Sequence, residues 1–265
     1  MILAVDVGNT NIVFGGIEKS RTRFFTRLNT DRNKTEDEYA VIFKTLIEIN
    51  RCNTADFSGA IISSVVPGLN EILSKALRQL VGKEPLIVGP GIKTGLDIKI
   101  DNPATLGSDL VVGAVAATAC YKKPLIIIDM GTATTVVAVD KDGVYRGGVI
   151  IPGVRVAMES LTNRAAQLQD ISLEAPRKTI GTNTADCLRS GIVYGNACML
   201  DGIIDRISSE MEGTPTVVAT GGLSPKIIPH CTHKITIDND LLIKGLEIIY
   251  NKNNTASHRD HSGDA

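Results

Sequence analysis

The chain has 265 residues, 43% of them hydrophobic, with 28 basic and 29 acidic side chains and a mean hydropathy of +0.10. Such a chain can bury a substantial core in one large domain or two ordinary ones. The balanced charge gives no electrostatic reason to expect a nucleic-acid or membrane partner, and no apolar run reaches the ~18 residues of a spanning helix.

Ile2 to Phe14, ILAVDVGNTNIVF, reads as strand, turn, strand, with Asp6, Gly8, Asn9 and Thr10 in the turn. Thr22–Leu28 is a third strand. Thr35 and Glu38 fit a capping box, and Tyr39, Ile42, Phe43, Leu46 and Ile47 follow at helical spacing. Phe57–Val66 is an apolar strand stopped by Pro67-Gly68. Leu69–Leu80 reads as an amphipathic helix and Leu86–Val88 as a short buried strand. In Asp101–Leu110, DNPATLGSDL, Asn102-Pro103 breaks regular structure, Ser108 is placed to cap a helix and Asp109 falls in its first turn. That helix runs to about Tyr121 and is small and apolar.

The opening design then returns. Leu125–Val139, LIIIDMGTATTVVAV, repeats strand, turn and strand, with Asp129, Gly131, Thr132 and Thr135 in the turn. Gly143–Ile151 is a third strand and Val154–Leu168 a helix, so both halves show three strands and then a helix. Asn183–Met211 reads as a long helix, Val217–Ala219 as a strand into Thr220-Gly221-Gly222, Lys234–Ile237 as a strand and Asp240–Tyr250 as a helix. Strands alternating with helices imply an α/β fold with mixed sheets. We expect an N-terminal domain over residues 1–121, a C-terminal domain over 122–250 and a disordered tail over 251–265. The start of the chain carries Asp6 and does not read as a signal peptide. The five cysteines, Cys52, Cys120, Cys187, Cys198 and Cys231, form no CxxC pair and fit a reduced cytoplasmic protein.

Either glycine turn could be an ordinary hairpin. Equally, a glycine admits a ligand to the backbone, and its neighbours offer N–H groups to anionic oxygens. An acid such as Asp6 repels phosphate but can hold a cation that binds it. Two matching turns 123 positions apart favour a nucleotide site. Gly221-Gly222 could let an adenine or ribose lie against backbone, and Gly147-Gly148 with Pro152-Gly153 could do the same for a small substrate. Asp109 has a plain alternative as a helix-capping acid.

In one order and spacing, DVGNT (Asp6–Thr10), DNPATLGSD (Asp101–Asp109), DMGTATT (Asp129–Thr135), GGVIIPG (Gly147–Gly153) and TGG (Thr220–Gly222) resemble a type III pantothenate kinase over about residues 1–250. The resemblance implies two similar actin-like (ribonuclease H-like) domains with an ATP cleft between them. It implies ATP-dependent phosphorylation of pantothenate to 4′-phosphopantothenate, the first committed step toward coenzyme A. Asp6, Val7, Gly8, Asn9, Thr10, Asn11, Ile12 and Val13 would form the first phosphate loop, and Thr132 would contact phosphate from the second. Asp129 would bind potassium or ammonium, and magnesium would travel with ATP near Asp6. Gly107, Ser108, Asp109 and Leu110 would line the pantothenate pocket, with Asp109 as general base. Thr184 would reach pantothenate across a homodimer interface.

A first-turn helix position should favour the Asp109 anion and so weaken it as a base. The family pattern usually reads LGADR, and here Leu110 replaces the arginine. It usually has an aromatic residue just before Asp-Asn-Pro, and here Ile100 replaces it. An arginine could pair with the pantothenate carboxylate, whereas leucine cannot. Another cation such as Arg155 or Arg164 takes that task, or binding is weaker, or the substrate is another small alcohol or carboxylate. A non-catalytic nucleotide-binding regulator is the alternative from a different class. His230, Cys231 and His233 read as a loop without metal, and the charges of Asp31–Glu38 as a wet helix start.

Overall fold

A computed structural model of the chain describes residues 1–164 and 172–257. In order, the elements are β1 (Ile2–Val7), β2 (Asn11–Glu18), β3 (Arg21–Asn29), α1 (Glu36–Ile49), β4 (Ala60–Ser64), α2 (Pro67–Val81), β5 (Leu86–Ile87), β6 (Asp97–Ile98), α3 (Ser108–Cys120), β7 (Leu125–Met130), β8 (Ala133–Val139), β9 (Val144–Pro152), α4 (Val154–Arg164), α5 (Thr184–Glu210), β10 (Thr216–Thr220), α6 (Ser224–Ile227), β11 (Ile235–Ile237) and α7 (Leu241–Ser257). By contacts the chain divides into two compact units. One comprises residues 1–96, 102–119 and 240–265, the other 97–101 and 120–239.

The first unit holds a sheet in the order β3-β2-β1-β4-β5. β1 pairs antiparallel with β2 and parallel with β4, β2 pairs antiparallel with β3, and β4 parallel with β5. Every residue of β1 is buried, as a central strand covered on both faces requires. Leu3, Val5 and Val7 face a core closed by α1 and α2, in which Phe14 stacks on Phe43 at 4.5 Å. Side chains alternate along a strand, so Asp6 points to the opposite face. α7 packs on β1, β2 and β4. It also lies close to α3: a Cβ on Gly245 would come within 2.2 Å of the Val112 carbonyl.

The capping box forms. Thr35 N–H donates to Glu38 Oε2 at 2.8 Å and Glu38 N–H to Thr35 Oγ1 at 3.3 Å. The strand ends at Ser64, ahead of Pro67 as expected, and Pro67 also opens α2, where its missing N–H costs nothing. α7 continues past Tyr250 to Ser257, over residues expected to be disordered. Tertiary partners supply what the polar sequence lacks: Asn253 donates to Lys93 O at 3.0 Å and accepts from Lys93 N–H at 3.1 Å. Residues 258–265, with His258 and His261, lie outside the described residues, as does the end of the expected Val154–Leu168 helix.

The second unit holds a sheet in the order β11-β10-β7-β8-β9-β6. Without the edge strand β6 and read from its other end, it is β9-β8-β7-β10-β11. Its pairings are antiparallel, antiparallel, parallel, parallel, as in the first sheet. The duplication legible in the two turns thus extends to the whole sheet. Ile126, Ile128 and Met130 face a core with α5, and Asp129 points to the opposite face, as Asp6 does in its own unit. Among the described residues, no helix is long and apolar enough to cross a membrane.

Candidate functional site

In the first unit the β1–β2 connection is Gly8-Asn9-Thr10. Gly8 N–H donates to Asn11 O at 2.9 Å, which closes the turn and leaves Asn9 and Thr10 exposed at its tip. Asp6 lies within β1, not in the turn, and is only 8% exposed. It sits opposite Val13 on β2 and Ser63 on β4. The loop after β3 braces the turn: Thr30 Oγ1 donates to Gly8 O at 2.7 Å and Thr30 N–H to Thr10 O at 2.9 Å. Arg32 Nη2 donates to Asn9 Oδ1 at 3.3 Å. The charges of Asp31–Glu38 read as a wet helix start, and α1 begins there at Glu36. The contacts of Thr30 and Arg32 with the turn span twenty positions or more, and no local pattern announces them.

The start of α3 is tied to the end of β4 by hydroxyls. Ser108 Oγ accepts from Ser64 N–H at 3.0 Å and donates to Ser64 O at 3.1 Å. Its one proton is thereby used, so the 3.1 Å contact with Ser63 Oγ has Ser63 as donor. Ser108 is therefore not the cap expected of it. It is the first helical residue, and its side chain serves tertiary structure. Asp109 follows on the same turn, within the unit that holds Asp6.

Asp109 Oδ1 accepts from Leu110 N–H at 2.8 Å. A Cβ on Gly107 would fall 2.5 Å from that oxygen, so glycine there leaves room for the carboxylate. Burial pushes the Asp109 carboxyl above its ordinary range, against the lowering pull of the Leu110 and Asp109 N–H groups. The expectation from the helix terminus alone is reversed, because loss of water outweighs two backbone donors.

In the second unit the β7–β8 turn is Gly131-Thr132, one residue shorter than its counterpart, with Gly131 N–H donating to Ala133 O at 3.1 Å. Thr135, expected in the turn, is in β8 opposite Asp129. On its other side Asp129 faces Thr220 of β10, as Asp6 faces Ser63. Two glycines pack on this turn. Gly153 N–H donates to Thr132 O at 3.1 Å, and a Cβ on Gly153 would meet that oxygen at 2.2 Å and Gly131 O at 2.6 Å. Gly221, at φ +95°, would place a Cβ 2.6 Å from Met130 N and 2.7 Å from Asp129 Oδ1. These glycines admit the close approach of protein backbone.

Gly147 and Gly148 have a related task. The register skips from Gly147 to Tyr145 opposite β8, a bulge in which Gly147 takes φ +119°. Ile100 packs against Gly147, its Cγ2 lying 3.9 Å from a Cβ built there. Thr184 is exposed at the first position of α5, behind Asn183, which caps Asp186 N–H. Arg155 is exposed on α4. His233 pairs with Asp205 at 2.9 Å, His230 meets Tyr194 edge-on, and burial pushes the Cys231 thiol up to about 12.

The chain is similar to proteins of known family. A family model for type III pantothenate kinase matches residues 2–206. The type III pantothenate kinase of Halalkalibacterium halodurans is 43% identical over 96% of this chain and 100% of its own length. That of Bacillus cytotoxicus is 42% identical over 97% and 98%. Among solved structures, a Campylobacter jejuni protein described as a Baf-family transcriptional activator superposes with TM-score 0.61 at 19% identity, covering 96% of this chain and 99% of its own. The Clostridium difficile activator of 2-hydroxyisocaproyl-CoA dehydratase, solved with bound ADPNP, gives 0.56 at 10% identity over 100% and 98%. The Thermus thermophilus ROK hexokinase gives 0.52 at 12% over 96% and 99%. At such identities these three report the fold alone, the two-unit actin-like α/β architecture. With the family model matching residues 2–206 and two relatives agreeing over nearly the full length, the chain belongs to the type III pantothenate kinases.

Proposed function

We propose a division of labour by which this chain phosphorylates pantothenate with ATP, giving ADP and 4′-phosphopantothenate. Phosphoryl transfer is mostly positioning and charge neutralisation. Asp6–Val13 and Thr132 contact the triphosphate, with Asn9 and Thr10 as exposed donors of the first turn. Asp109 takes the proton of the pantothenate primary hydroxyl as that oxygen attacks the γ-phosphorus. Gly107–Leu110, Ile100 and Thr184 border pantothenate, Ser108 through its main chain because its hydroxyl is engaged with β4.

One observation carries this reading. The Ser63–Ser108 bridge joins the start of the Asp109 helix to the strand beside Asp6, and Asp109 sits there half-buried with a raised carboxyl. A raised pKa makes a better base at neutral pH.

We place potassium or ammonium at Asp129, the carboxylate of β7 beside the second turn. Such a cation neutralises charge between the carboxylate and the triphosphate. Magnesium accompanies ATP near Asp6. We assign the protein to the cytoplasm, in keeping with its free cysteines. We also assign it to a homodimer, supported by exposed Val149, Ile150, Val156 and Leu161 on β9 and α4. Sedimentation as a monomer at micromolar concentration refutes the dimer.

The central test is an ATP-coupled assay on Asp109→Asn, with and without potassium. The variant should lose ~10²-fold or more in kcat while still binding ATP. An unchanged kcat returns Asp109 to a capping role, and turnover that needs neither potassium nor ammonium removes the cation from Asp129.

A further inference from the structure

We propose that Arg32 is a phosphate-binding residue of the nucleotide site, delivered to the first turn by the loop after β3. The proposal rests on the reading of Gly8-Asn9-Thr10 as a phosphate turn, and adds to it the cation that the turn itself lacks.

The loop is held at several points. Thr30 binds the carbonyls of Gly8 and Thr10. The hydroxyl of fully buried Tyr39 donates to Asp31 O at 2.6 Å and accepts from Asp31 N–H at 3.2 Å. The backbone on which Arg32 stands is therefore anchored both to the turn and to the core. From it the guanidinium reaches Asn9 Oδ1 at 3.3 Å, at the exposed tip.

Charge distinguishes Arg32 from its neighbour. Lys34 is paired with Asp31 at 3.0 Å. Among the described residues, no carboxylate lies within ion-pair range of Arg32, whose partner is a neutral amide oxygen. A guanidinium carries five donors in a planar fork that suits phosphate oxygens, and one long bond to Asn9 engages only one of them. The turn itself offers only neutral donors, and Asp6 beneath it has the same sign as the triphosphate. A cation at this tip opposes that repulsion where phosphate charge must be held.

The alternative is that Arg32 only braces the turn through Asn9. Arg32→Gln keeps an N–H donor for Asn9 and removes the charge, while Arg32→Lys keeps the charge and loses the fork. In the full-length enzyme we expect Arg32→Gln to lower kcat/KM for ATP about tenfold or more. Arg32→Lys should recover part of that loss. Adenosine affinity by calorimetry and the melting temperature without nucleotide should stay unchanged, since Arg32 is exposed.

Arg32→Gln within twofold of the parent overturns the proposal. So does an equal loss in the Gln and Lys variants, or a loss that extends to adenosine. The double variant Asn9→Ala/Thr10→Ala separates the two levels of the argument. If it impairs ATP use and Arg32→Gln does not, the turn reading stands and the Arg32 assignment falls. If neither variant affects ATP, both fall.

Discussion

Replacing Gly153 by alanine tests whether the second turn is held in place for catalysis. The added Cβ would stand 2.2 Å from Thr132 O and 2.6 Å from Gly131 O. Ordinary carbon contacts begin near 3.5 Å, so the two backbones must separate by roughly 1 Å. Both obstructing atoms belong to the main chain, so no side-chain rotation relieves them, and the Gly153 N–H bond to Thr132 O is stretched with the turn. Overpacking of this kind costs about 1–3 kcal/mol, and each kcal/mol lowers the melting temperature by about 2–4 °C in a chain approaching this size. A displacement of 1 Å at a reacting group costs about 10²-fold in rate. We therefore expect Gly153→Ala to lose about 10²-fold in kcat/KM for ATP and to melt several degrees earlier. Gly68, on α2, has nothing within 4 Å of a built Cβ and supplies the control. Gly68→Ala should keep full activity and gain up to about 1 kcal/mol. The assays are coupled ADP release at varied ATP and thermal melts of both variants. A Gly153→Ala enzyme within threefold of the parent and with an unchanged melt would refute the argument that this contact fixes Thr132.

Asp109 carries a second prediction. Its folded carboxyl is raised by burial, so the folded state binds this proton more tightly than the unfolded chain does. Keeping the group ionised at neutral pH therefore costs stability, and that cost vanishes below the unfolded pKa of ~3.9. Asp109→Asn should melt above the parent at pH 7–8, the gain shrinking as pH falls through the folded pKa toward ~4. A gain independent of pH contradicts the assignment. Ser108→Ala removes the hydroxyl that joins Ser63 and Ser64 and leaves Ser64 N–H without that acceptor, a loss of about 1–3 kcal/mol. We expect lower kcat at nearly unchanged KM for ATP, and steady-state kinetics check it. Thr35→Ala breaks the capping box and should cost about 1 kcal/mol in thermal melts while leaving kcat/KM alone; a matching loss of activity would mean that the loop before α1 is more tightly coupled to the site than its contacts suggest.

Much of this protein is written locally. The two acid-glycine turns, the capping box at Thr35 and the apolar runs of β1 and β7 follow from neighbouring residues, because period, turn chemistry and capping act over a few positions. Family membership is legible too, since it lies in the order of short motifs. Other features depend on residues far apart in the chain, and these only the tertiary structure decided. The Lys19-Ser20 turn takes positive φ at both residues without the usual asparagine or glycine, and Ser20 N–H is bound by buried Glu247. α7 continues beyond Tyr250 because Lys93 supplies partners for Asn253. Gly153 and Gly221 stand where distant backbone approaches closely. Asp109 is the sharpest case. Its place in the first turn of a helix is a sequence fact, and by itself it predicts a stabilised anion. Burial is a property of the packed unit, and it moves the carboxyl the other way, because a desolvation penalty is set by every atom that displaces water and not by the neighbours along the chain.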